Sequence, residues 1–112
     1  MSNQVIGHAE IPVTNLEASA EFFNAIFGWE MKPFGNGYYL WNSHKGMTIG
    51  LRKVEKVVSG DNTIFHINVE NIDSMLDLVK LNKGIVEREK KIIPVFGYYA
   101  LIKDLDGNTI GL

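Results

Sequence analysis

Cysteine is missing from all 112 positions. That excludes disulfide frameworks, thiolate metal sites and cysteine nucleophiles, and it fits a reducing compartment. An excess of one charge sign is missing too. Eleven Lys and Arg stand against thirteen Asp and Glu, a formal net charge of −2, with a pI of about 5.9. With no basic stripe to neutralise phosphates, nucleic acid is not expected as a partner. No apolar run approaches the roughly 18 residues that a membrane span needs, so no membrane association is expected either. The opening MSNQVIGHAEIPV has no charged leader with an apolar stretch behind it, so no secretory signal is expected there. Neither a phosphate-binding glycine loop nor a nucleophile elbow around any serine is found. At 46% hydrophobic and 21% charged residues, the composition is that of a globular, cytoplasmic protein forming one domain. A chain of this length buries roughly two-thirds of its unfolded surface.

What is present is said twice. GYYLWNSHKGMTIGL starts at Gly37 and GYYALIKDLDGNTIGL at Gly97. Each copy carries a glycine, Gly50 or Gly111, inside a strand-like run. Before the first copy, residues 5–13 alternate with period two, which predicts a strand. Thr14 with Glu17 has the spacing of a capping box. Leu16, Phe23, Ile26 and Phe27 then recur at helical spacing until Gly28 stops the helix. A short extended stretch is expected at 29–34, and strands at 38–41 and 47–53. The second half repeats the order. A strand is expected over 63–70, a helix capped by Asp73 and ended by Gly84, a strand over 85–93 broken by Pro94, and a terminal hairpin with a tight turn at Asp106-Gly107 or Gly107-Asn108. Each half thus reads strand–helix–strand–strand–strand. The fold class is α+β: two βαβββ units, about 1–57 and about 61–112, within a single domain of 112 residues.

A duplicated βαβββ unit with a histidine in each first strand, FFNAIFGWE at the first helix exit and KDLDGNTIGL near the end resembles the vicinal oxygen chelate superfamily. Glyoxalase I, bleomycin resistance proteins and extradiol dioxygenases belong to that group. The resemblance covers essentially the whole chain. It implies sheets curved into an open cup that holds a ligand, and a homodimer. It also implies one divalent metal, held by His or Gln on the first strand and Glu on the fourth strand of each unit. Carried over, His8 and His66 take the first-strand positions, while Gly50 and Gly111 stand where the two carboxylates belong.

Parity gives an independent view of the site. In MTIGLRK, Met47, Ile49 and Leu51 share the apolar face, which leaves Thr48, Gly50 and Arg52 on the ligand face. Thr109 with Gly111, and Asn68 with His66, follow the same logic. His8 and Glu10 share a face, roughly 6–7 Å apart along the strand. His8, Glu10 and His66 are therefore the candidate acid–base residues, and the candidate ligands if a metal is bound. Two imidazoles alone make a poor divalent site, so no cofactor is expected and a divalent ion is the alternative. The two glycines open either a pocket or a slot for a neighbouring ring. One tyrosine of each Tyr-Tyr pair must face the ligand side, and the sequence leaves open which. The expected function is a glyoxalase or bleomycin-resistance-like protein binding a small organic molecule without the usual metal. The alternatives are a non-catalytic sequestering protein and a metal-dependent lyase, isomerase or dioxygenase.

Overall fold

The computed structural model describes residues 3–112. The chain divides into two compact units, Met1–Lys56 and Val57–Leu112.

The first unit runs β1 (His8–Val13), α1 (Leu16–Phe27), β2 (Lys32–Pro33), β3 (Tyr38–Asn42) and β4 (Thr48–Lys53). Its strands form one open sheet in the order β1-β4-β3-β2. β1 lies parallel to β4, and the other pairs are antiparallel. Alternation places Ile11, Val13, Ile49 and Leu51 on the buried face, against Phe22, Phe23 and Ile26. Phe23 is fully buried and packs against Trp29, which in turn stacks on Trp41 at 5.3 Å. Burying one such ring stabilises the unit by roughly 1.5–3 kcal/mol. Gly28 ends α1 in the left-handed conformation at φ 73°, with its N–H bonded to the Asn24 carbonyl. The helix start differs from the capping box expected at Thr14. Asn15 is the cap, and its side-chain oxygen accepts from the Ala18 N–H at 3.0 Å. Asparagine does this at least as well as threonine.

In the second unit, α2 (Ile72–Leu81) is followed by β5 (Ile85–Ile93), β6 (Gly97–Lys103) and β7 (Thr109–Gly111). These three strands are antiparallel, in the order β5-β6-β7. Leu76, Val79, Ala100, Ile102, Ile110 and Leu112 are buried here. The strand expected over 63–70 is reduced to one parallel bridge, His66 with Gly111. Its reason is geometric: β7 offers three residues, where β4 offers six to β1. The bridge still carries two ladder bonds, from the Gly111 N–H to the Phe65 carbonyl and from the Ile67 N–H to the Gly111 carbonyl. Asn71 rather than Asp73 caps α2, through the Ser74 N–H at 2.9 Å. Asp73 sits in the first turn, where an acid suits the helix dipole, and takes Lys90 at 2.9 Å. Asn82 rather than Gly84 forms the C-cap, followed by Lys83 at φ 71°.

The terminal connection is also longer than a two-residue turn. Buried Asp104 gathers it: one carboxylate oxygen accepts from the N–H groups of Asp106 and Asn108, and the other from the Asn108 side chain, all within 3.0 Å. Burial nonetheless pushes its pKa up, against the pull of these bonds.

Candidate functional site

The register of the first unit decides which side chains meet. β1 against β4 sets His8 opposite Thr48 and Glu10 opposite Gly50. β3 against β4 sets Tyr38 opposite Arg52 and Leu40 opposite Gly50. Since the opposite face packs on α1, all of these residues share the outer face.

At Gly50 a Cβ would collide with the hydroxyl and ring of Tyr38. The slot left by the glycine is thus filled by a phenol. That phenol joins a polar network: the Tyr38 hydroxyl lies 2.7 Å from His8 Nε2, and His8 Nδ1 lies 2.6 Å from Thr48 Oγ1. Arg52 donates through Nε to Glu10 Oε2 at 2.7 Å. The Arg52 bond holds the Glu10 carboxyl below its usual range, despite some desolvation. Burial, followed by the influence of the Glu10 carboxylate, raises the Tyr38 phenol above its usual value, so it stays protonated. Beside this network a groove of about 420 Å³ runs along β2 and β3, with Lys32, Phe34, Leu40 and Trp41 among its walls.

The second unit fills its glycine differently. At Gly111 a Cβ would collide with the His66 imidazole. Tyr99 meets His66 edge-on, with ring centroids 6.3 Å apart, and Arg88 donates to the Tyr99 hydroxyl at 2.9 Å. Thr109 donates to Glu87 at 3.1 Å. Asn68 is exposed two residues beyond His66. The tyrosines that share a face with the two glycines are therefore Tyr38 and Tyr99. Gly50 stands opposite Leu40, and Gly111 opposite Leu101, so these tyrosines hold matching places.

The same register corrects the pairing of the histidines. Glu10 opposes Gly50, and His66 opposes Gly111. Glu10 stands five residues before its helix cap at Asn15, and His66 five before its cap at Asn71. His66 is thus the counterpart of Glu10, and the counterpart of His8 is Ile64.

A divalent ion does not fit these residues as they stand. Among the described residues, no three His, Cys, Asp or Glu side chains group together as a metal site requires. Within the first unit only His8 and Glu10 offer donor atoms of that kind on the face. Both His8 nitrogens and a Glu10 oxygen are already engaged by protein groups. Aromatic rings fill both positions where carboxylates were implied.

Comparison with known proteins agrees with this architecture. Residues 6–39 match the family described as bleomycin resistance protein-like N-terminal. No curated protein matches the chain. Among solved structures, a glyoxalase/bleomycin resistance protein/dioxygenase family enzyme from Burkholderia phytofirmans superposes with a TM-score of 0.79 at 13% identity, covering 94% of each chain. The genomically encoded fosfomycin resistance protein FosX from Listeria monocytogenes gives 0.79 at 18% identity, over 99% of this chain and 93% of that one. A hypothetical protein from S. aureus gives 0.76 at 21% identity, over 99% and 92%. The fold is the one shared by these glyoxalase/bleomycin resistance-type structures. The resemblance drawn from the repeat and its end motifs is met, in sequence over residues 6–39 and in fold over the whole chain.

Proposed function

We propose that this protein binds a small organic molecule on the outer face of its first unit. His8, Thr48 and Arg52 are the polar contacts, and the groove beside Leu40 and Phe34 is the apolar wall. One observation carries this reading: a network of ionisable and hydroxyl side chains lies on an exposed sheet face, next to a concavity of ligand size. Its donor set favours binding without a metal. A thermal-shift screen of metabolites, antibiotics and phosphonates tests it. Ligands that raise Tm with wild type should lose that shift in His8→Ala and Arg52→Ala. Shifts that survive both substitutions overturn the site. A ligand that stabilises but is never consumed identifies a sequestering protein; one that is turned over identifies an enzyme.

A second reading is metal-dependent lyase, isomerase or dioxygenase chemistry. In its favour, a FosX variant of the same fold was solved with Mn(II) and 1S,2S-dihydroxypropylphosphonic acid. Stoichiometric metal in the purified protein, lost in His8→Ala, would establish this reading over the first. A cytoplasmic homodimer suits both readings. The missing cysteines accord with the compartment, and the resembling family accords with the dimer.

A further inference from the structure

Most asparagine side chains of this protein are held. Those of Asn15 and Asn71 cap helices, and those of Asn42, Asn62, Asn82 and Asn108 bond to nearby groups. Asn36 differs. It is exposed in the turn between β2 and β3. Among the described residues, nothing bonds its side chain or accepts from the N–H of Gly37 behind it. It is also the one asparagine in the sequence that is followed by glycine. Gly35 and Gly37 flank it in the left-handed region, at φ 74° and 70°, and a Cβ at either would meet nothing within 4 Å. No side chain therefore obstructs the Gly37 nitrogen, and glycine leaves the backbone free to turn it toward the Asn36 side chain. The other acyl–glycine step of this kind, Asp106-Gly107, is tied down: the Gly107 N–H donates to the Asp104 carbonyl at 3.2 Å and the Asp106 N–H to the Asp104 carboxylate at 3.0 Å.

We propose that Asn36 is a self-modification site whose product unseats Tyr38. The Gly37 nitrogen attacks the carbonyl carbon of the Asn36 side chain. The new N–C bond closes a five-membered succinimide, the amide C–N bond breaks, and the proton lost by Gly37 leaves with the departing ammonia. Water then opens the ring at either carbonyl, giving aspartate or isoaspartate. Each product adds one carboxylate, which takes the formal net charge from −2 to −3. Isoaspartate also carries the main chain through its side chain, one methylene longer. That lengthening falls two residues before Tyr38. The turn is closed there by bonds from the Phe34 N–H to the Tyr38 carbonyl at 2.9 Å and from the Lys53 N–H to the Gly37 carbonyl at 3.0 Å. The longer chain draws the phenol off its seat over Gly50 and away from His8.

The test keeps the folded full chain in mildly alkaline buffer made with heavy-oxygen water, then maps its peptides by mass spectrometry. Asn36 should lose ammonia and take up one heavy oxygen, faster than all other asparagines together. The rate should rise with pH, because the attacking nitrogen must shed its proton. Asn36→Gln should lose the conversion, since its longer side chain closes a six-membered ring far less readily. An Asn36 that stays intact, or conversion mainly at other asparagines, overturns the proposal. The unseating of Tyr38 has its own readout. Gly50→Ala collides with the Tyr38 ring. Its cost in urea midpoint should be smaller in the isoaspartate form, isolated by chromatography, than in Asn36→Asp, which has the charge without the extra methylene. Equal costs overturn the unseating. None of these measurements uses a ligand, so their outcome is independent of the proposed binding site.

Discussion

The phenolic ring of Tyr38 occupies the space that a side chain at Gly50 would need. The two residues face each other diagonally on neighbouring strands: Gly50 opposes Leu40, two residues along β3 from Tyr38. Glycine is therefore required by the tyrosine, and the tyrosine's position by the glycine.

Gly50→Ala should destabilise the protein by about 1–3 kcal/mol, as overpacking does, and should break the Tyr38–His8 bond. Tyr38→Ala in the same chain removes the collision. The double variant should then be more stable than the sum of the single effects allows, a coupling that urea denaturation of all four proteins measures. Additive effects would show that ring and glycine do not compete for one space.

Asp104→Ala should cost about 1–3 kcal/mol, because it strands N–H donors that the carboxylate now satisfies in a buried turn. Thermal unfolding by circular dichroism reads this loss. An unchanged Tm would mean that the turn holds itself without the carboxylate.

Acid should weaken the first unit through Glu10. Arg52 lowers the folded-state pKa of that carboxyl below its unfolded value. The stabilisation is therefore complete above the unfolded carboxylate range and disappears as pH falls through the lowered folded value. Both side chains are partly exposed, at 51% for Arg52 and 39% for Glu10, so the effect stays under about 1 kcal/mol. Urea midpoints of wild type and Glu10→Gln should differ at neutral pH and converge in acid. A gap that persists in strong acid would rule out the ion pair as its cause.

Asn15→Ala and Asn71→Ala should each lower stability by about 1 kcal/mol, the usual worth of a helix N-cap. Helical ellipticity and the urea midpoint should fall together for each. If neither moves, the caps contribute nothing measurable.

The sequence made the repeating unit legible, because period two and period 3.6 separate cleanly in stretches such as EIPV and FFNAIF. The face carrying Thr48, Gly50 and Arg52 could be read the same way, and the four-stranded register sets those three beside Glu10 and Tyr38. What stayed hidden depends on partners distant in the chain. Two adjacent tyrosines look alike to any alternation rule, and only the pairing with β4 or β7 selects Tyr38 and Tyr99. Thr14 and Asn15 are neighbouring cap formers, and backbone geometry chose between them. The first strand of the second half alternates well, yet β7 is too short to hold more than His66 in a ladder.

The lettering of the two halves and their hydrogen-bond order disagree by one position. Matching Gly37 to Gly97 would align Tyr38 with Tyr98, whereas the ladders align it with Tyr99. Anyone splicing one half onto the other to make a hybrid protein should count from the strand pairing, not from the shared spelling. A graft cut by the spelling would turn every residue of that strand inside out, sending a tyrosine into the oil and an alanine into the water.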